Sequence, residues 1–256
     1  MKRLLICVAA LVCACTPPTA NTDAAPGDAP MADAAGNRLE ALSEDAGRWC
    51  SGDGLWCVVA QEDSAALVTR GGETAATIPV TNVEGDSWEI WPHFIRVGRD
   101  DTSAIIGIVS VDRQMYSGGG ASARRVSLFE VASGEAPQVL AGIPIGAEAM
   151  IRACFSQEHT AARQDACHDE YDFTGTITLD PDVTEGPPRL ILTTEATSFP
   201  GQRTRTSDST TEAPLQQSDL VRWRDDACSY RRVATREGSS YVWDAPLPQC
   251  ADYLEP

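Results

Sequence analysis

The chain reads as an all-β domain, an antiparallel sandwich or barrel of about a dozen short strands, stapled by disulfides. Three observations predict this. From Cys57 onward, short runs of Val, Ile, Leu, Thr and aromatic residues are punctuated by Gly, Pro, Asp and Ser clusters roughly every ten residues. No helical period longer than about ten residues competes with that pattern. Six cysteines, Cys50, Cys57, Cys154, Cys167, Cys228 and Cys250, fall into three sequence-local pairs.

The elements follow in order. Arg38 to Arg48 is expected to form a short helix, with Leu39 and Leu42 on one face and the Ser43–Asp45 run polar. Strands are expected at Cys57 to Gln61, Ala66 to Arg70, Thr77 to Val80, Trp88 to Val97, Ala104 to Val111, Arg125 to Ala132, Gln138 to Ile143 and Ile151 to Phe155. The clearest is Tyr171 to Leu179. Its odd positions, Tyr171, Phe173, Gly175, Ile177 and Leu179, alternate with Asp172, Thr174, Thr176 and Thr178, which is the two-residue period of a half-buried antiparallel strand. Arg189 to Glu195, Leu220 to Arg224, Tyr230 to Thr235 and Ser240 to Trp243 complete the set, the last two joined by a hairpin loop at 236–240.

The front of the chain has a different composition. Lys2 and Arg3 precede an apolar run from Leu4 to Val12, too short to span a bilayer, and Val12, Cys13, Ala14 and Cys15 follow. This stretch resembles the signal peptide and lipobox of bacterial membrane lipoproteins, with Cys at the second lipobox position as a departure. The resemblance covers the signal alone. It implies cleavage after residue 14, diacylglycerol on Cys15 with a further acyl chain on its amine, and a place in the bacterial envelope. Thr16, rather than aspartate, follows the cysteine, so the outer membrane, facing the periplasm or the surface, is the expected location. Residues 15–37 are expected to be the lipidated cysteine and a disordered tether rich in Ala, Pro and Asp, about 26 Å in root-mean-square span. Residues 38–256 are expected to form one domain.

Lys2 is the only lysine, so a chain starting at Cys15 carries 18 arginines against 37 acidic residues, a formal charge of −19. That balance argues against nucleic acid as a partner and favours solubility or a cationic protein. Chemistry that needs lysine is excluded: Schiff bases, Walker phosphate loops, Ser-Lys dyads and kinase ATP sites. No cofactor motif and no catalytic motif is present. In an oxidising envelope six thiols imply three bridges, and the simplest pairing joins Cys50 with Cys57, Cys154 with Cys167, and Cys228 with Cys250.

Weaker candidates remain. Cys154, His159, Cys167 and His168 offer zinc ligands only if the thiols stay reduced, so no metal is expected there. Asp180, Asp182 and Glu185 could offer oxygens to calcium, but Asp-Pro-Asp is also ordinary turn chemistry. The three glycines after Tyr116 could bring amides near an anion, although a flexible surface hairpin is the expected role. Trp88, Trp91 and Phe94 are expected to pack rather than form a sugar platform. Trp88 and Trp91 should face opposite ways, with Pro92 marking an edge or bulge. Trp49 and Trp56 are expected to cover the first disulfide. The long loop Ser198 to Ser218 carries Arg203 and Arg205, which with Tyr116 are the expected partner contact, with disorder of the loop as the equal rival. Together these features point to a lipid-anchored binding or interaction module without catalysis. An inhibitor of a cationic lysozyme-like enzyme and a cell-wall glycan hydrolase using paired carboxylates are the rivals.

Overall fold

The alternation expected between Tyr171 and Leu179 is present residue by residue: Tyr171, Phe173, Ile177 and Leu179 are buried, while Asp172, Thr174 and Thr176 are exposed. The same face continues backward to Asp169, so the register that buries the apolar side chains also buries a carboxylate. The computed structural model describes residues 31–61, 65–80, 85–132 and 134–256. The expected signal segment and Cys15 lie outside the described residues.

In chain order the strands are β1 Met31–Ala32, β2 Arg38–Ala41, β3 Ser43–Asp45, β4 Arg48–Cys50, β5 Trp56–Gln61, β6 Ala65–Arg70, β7 Glu73–Pro79 and β8 Ser87–Val97. They continue with β9 Ser103–Tyr116, β10 Gly119–Val131, β11 Gln138–Arg152, β12 His168–Leu179, β13 Leu190–Phe199, β14 Trp223–Arg224, β15 Arg231–Glu237 and β16 Ser240–Trp243. Two short helices, α1 Gln157–Ala162 and α2 Ala251–Leu254, complete the set with a 3-10 turn at Gln217–Asp219. An eleven-stranded antiparallel sheet runs β1-β2-β8-β9-β10-β11-β12-β13-β15-β16, with β14 beside β13, and a five-stranded sheet runs β3-β4-β5-β6-β7. The path of the large sheet is open, so the architecture is a sandwich and not a closed barrel.

Apolar packing decides this shape. Trp56, Val58, Val68 and Ile78 of the small sheet pack against Ile90, Phe94, Ile106, Ile108 and Phe129 of the large one. On the opposite side of β8 and β9, Trp91, Ile95, Ile105 and Val109 meet Ile177, Leu179, Leu190 and Leu192, so the large sheet folds over onto itself. Strand β9 is therefore buried on both faces from Ala104 to Val111. Trp88 and Trp91 do serve opposite clusters. A register shift between Ile90 and Phe94 places Pro92 in a bulge of an interior strand, and the Trp91 indole lies over Gly107, where an added Cβ would fall 2.8 Å from its Cε3.

All three expected disulfides are formed. Cys50 and Cys57 are directly opposed across β4 and β5 with Cα atoms 4.1 Å apart. Alternation then puts Trp49 and Trp56 on the other face of that hairpin, where they join the inter-sheet core rather than cover the bridge.

Four other expectations are corrected. Arg38–Arg48 is not helical: β2, β3 and the start of β4 occupy it, because Leu39 and Leu42 serve clusters on opposite sides of the sheet despite their helical spacing. Ala46 and Gly47 both have positive φ and close the β3–β4 hairpin. The ordered domain begins before residue 38. Met31–Ala32 pair with β2, and Asp33 Oδ2 accepts from buried Asn37 Nδ2 at 2.7 Å. Strand β11 ends at Arg152, after which α1 starts on Ser156, whose Oγ accepts from the His159 N–H. Only Trp223–Arg224 of the segment Leu220–Arg224 is strand. The strands are also longer than expected, β9, β10 and β11 having 14, 13 and 15 residues.

One ion network joins the two sheets. Arg96 on β8, 2 % exposed, donates to Glu40 Oε1 of β2 at 2.8 Å and to Asp53 Oδ2 of the β4–β5 turn at 2.7 Å, and Asp101 lies 3.4 Å away. Arg38 bonds the same Glu40 and Asp101, and Arg70 of β6 donates to the Asp101 carbonyl at 2.8 Å. Partial desolvation works to raise the Asp53 carboxyl, but hydrogen bonds from Ser51 Oγ, the Leu55 N–H and Arg96, with the Arg96 charge, outweigh it and bring it from 3.8 to about 2. The depressed folded value means that this stabilisation is complete above the unfolded carboxyl's range and disappears as pH falls through about 2. Urea midpoints should therefore fall between pH 4 and pH 2 in the parent, and Asp53→Asn should flatten part of that slope.

Candidate functional site

The first halves of β10 and β12 and the last halves of β9 and β11 pair side by side and put their side chains in rows. Arg113, Ser122, Glu148 and Asp172 form one row; Met115, Gly120, Met150 and Glu170 form the next; Val111, Arg124, Gly146 and Thr174 form a third. Adjacent positions in a row stand about 4.8 Å apart. The opposite face of the same strands carries Ala121, Ala149, Tyr171 and Phe173, which pack beneath Tyr253 and Leu254 of α2. One face is thus committed to the core, and the other is free for a ligand.

The free face is a groove of about 890 Å³. Gly118, Gly119, Gly120 and Ser122 form its floor, since small side chains let the walls stand above it. Of the three glycines after Tyr116, Gly119 and Gly120 are strand residues and Gly118 lies in the two-residue turn, so the expected flexible hairpin is a tight one. A Cβ on Gly119 would fall 1.8 Å from the Met150 carbonyl oxygen, so close approach of β11 requires glycine there. Ser117 and Gly118 alone make the turn between β9 and β10.

The walls mix charge with sulfur. Arg222 binds both Glu170, at 2.7 Å, and Asp172, and Arg124 binds Glu89 of β8. Two charged groups in the same row lack an ionic partner among the described residues. Arg113 donates from Nη1 to Ser87 Oγ at 3.3 Å and its backbone N–H is held by Asp86, but no carboxylate lies within ion-pair distance of its guanidinium. Glu148, exposed in the middle of the groove, has no side-chain hydrogen bond or ion pair among the described residues. Met115 and Met150 flank Gly120 at 79 % and 47 % exposure, two of the most exposed large apolar side chains in the described residues. Such unbranched thioethers adapt to ligands of irregular shape.

The contact expected at Arg203, Arg205 and Tyr116 is drawn together, but by intramolecular bonds. Arg205 donates to Tyr116 Oη at 2.6 Å and to the Glu255 carbonyl, its own N–H donates to Asp252 Oδ1 at 2.9 Å, and Arg203 is paired with Glu212. These bonds fasten the 198–218 loop to α2 and to the end of the groove that Tyr116 lines. The loop is pinned at a second point: buried Arg163, from the end of α1, pairs with Asp169, and Ser209 donates to the same carboxylate.

The remaining candidates resolve as structure. Cys154 and Cys167 are joined, and His159 Nδ1 accepts the Phe155 N–H at 3.3 Å. Asp180 pairs with Arg189 at 3.1 Å and accepts the Asp182 N–H at 3.1 Å. No cluster of three metal-ligating side chains occurs among the described residues. Phe94 is fully buried and Trp91 nearly so, which removes both from any sugar platform.

The groove residues themselves, Arg113, Met115, Ser122, Glu148, Met150, Glu170, Asp172 and Arg222, escape a reading of the sequence. The segments of Arg113, Met115, Ser122, Glu148 and Met150 lack an apolar alternation, whereas Asp172 and Arg222 fall in expected strands that nothing in the sequence joins to the others. Comparison of the chain with protein-family models, with curated proteins and with solved structures returned no match.

Proposed function

We propose that this chain is a lipid-anchored bacterial envelope protein, acylated at Cys15, whose domain is a binding module without catalysis of its own. The β9–β12 groove is its binding surface. The observation that carries this reading is the groove itself: an open face with a glycine floor, two exposed methionines, and a cation and an anion left without ionic partners. Three of its four carboxylates, Glu89, Glu170 and Asp172, are already neutralised by arginines, which supports recognition over acid–base work by a carboxylate pair. Three disulfides suit an oxidising envelope.

Two variants test the two halves of the proposal. Cys15→Ala should abolish metabolic labelling with an alkyne fatty acid and release the protein to the soluble fraction; a parent that takes up no label contradicts the anchor. Ser122→Trp places an indole in the middle of the groove from an exposed face. It should cut retention of the mature protein on an isolated envelope fraction by at least tenfold with an unchanged melting temperature, and unchanged retention contradicts the groove.

A further inference from the structure

The groove's two unmatched charges stand at a fixed separation. Arg113 on β9 and Glu148 on β11 flank Ser122 in one cross-strand row, two strand spacings apart, or about 9.6 Å between Cα atoms. Ser122 lies between them, with Gly120, Met115 and Met150 in the adjoining row, and Asp172, the next position beyond Glu148, is bound by Arg222. Every other charged side chain along these rows has an intramolecular partner, so the pair is the part of the groove whose electrostatic demand the protein does not meet itself.

Resting on the groove being the binding surface, we infer that it takes a short zwitterionic peptide. The ligand's carboxylate would sit on the Arg113 guanidinium, its ammonium on Glu148, and its backbone and small side chains across Gly120 and Ser122 against the two methionines. The geometry selects the length. An extended chain advances about 3.3 Å per residue, so three residues span roughly 10 Å, close to the Cα separation of Arg113 and Glu148 along the row. A single amino acid is too short to reach both charges. A longer peptide would leave one terminus beyond its partner. Arginine suits the carboxylate end because its planar fork can bind both oxygens at once. The same chemistry is offered by a free peptide and by a peptide branch of an envelope polymer.

The test uses the mature protein labelled at its methionine methyls, with trialanine as the probe and Met31, outside the groove, as the internal reference. Trialanine should shift the Met115 and Met150 methyls and leave Met31 in place. N-acetylation or C-amidation of the probe should each weaken binding at least tenfold. Glu148→Gln should remove the effect of acetylation and Arg113→Gln that of amidation, and both variants should melt with the parent. Shifts at Met115 and Met150 that are as strong with the doubly blocked peptide overturn the charge pairing and leave a groove that binds something else. Absence of any shift with trialanine overturns the ligand class, while retention on the envelope fraction decides separately whether the groove binds at all. Displacement of trialanine by soluble peptidoglycan fragments at a far lower concentration than by free tripeptides would locate the source in the polymer, and the reverse order would locate it in free peptide.

Discussion

Asp169→Ala should be the most damaging single substitution in the domain, costing about 3–5 kcal/mol. Asp169 and Arg163 have side chains 4 % and 5 % exposed, so removal of the carboxylate leaves a guanidinium buried without its counter-charge. Ser209 loses its acceptor as well, and with it one of the points that hold the 198–218 loop to β12. A domain of ordinary stability has about 5–15 kcal/mol in total, so the loss should lower the melting temperature by on the order of 10 °C. The mechanism has its own control. Replacing both partners by apolar residues, Arg163→Met with Asp169→Leu, removes the stranded charge and should recover most of the loss. A single substitution costing under about 1 kcal/mol, or a double one as damaging as the single, contradicts this account.

Arg96→Ala should follow closely, at about 3–4 kcal/mol, for a different reason. The guanidinium is the centre of a network with Glu40, Asp53 and Asp101, and its side chain also covers the Phe94 ring at 5.3 Å. Its loss brings three carboxylates together with only Arg38 to offset them. It also cuts the ionic tie between the small sheet's β4–β5 turn and the large sheet. Denaturation in urea should show an earlier midpoint, and the acid sensitivity assigned to Asp53 should shrink because its main charged partner is gone. A variant with the parent's midpoint at pH 7 would contradict a stabilising role for the Arg96 network.

The fold class and the disulfides were legible because they rest on local signals. The alternation from Tyr171 to Leu179 survives intact, and cysteines close in sequence found one another. The helix expected over Arg38–Arg48 failed because Leu39 and Leu42 have helical spacing for a reason unrelated to helix: one faces each of two cores. A sandwich whose large sheet is covered on both sides makes such coincidences common. The groove failed to appear for the converse reason. Arg113 and Met115, Gly120 to Arg124 and Gly146 to Met150 are strand because their neighbours across the sheet are strand, and a single sequence carries no mark of that pairing. Arg203, Arg205 and Tyr116, expected to contact a partner, are bonded within the chain to Glu212, Asp252 and one another.

The claim that the β9–β12 face is the binding surface is tested most directly by methionine oxidation. Met31, Met115 and Met150 are the three methionines after Met1, and all are exposed, the first on β1 and the other two in the groove. Dilute peroxide converts exposed thioethers to sulfoxides at rates that follow access, and peptide mass spectrometry reads each site separately. Addition of isolated envelope material should slow oxidation of Met115 and Met150 severalfold while Met31 reacts as before. Equal rates at all three sites, with and without that material, would contradict the assignment.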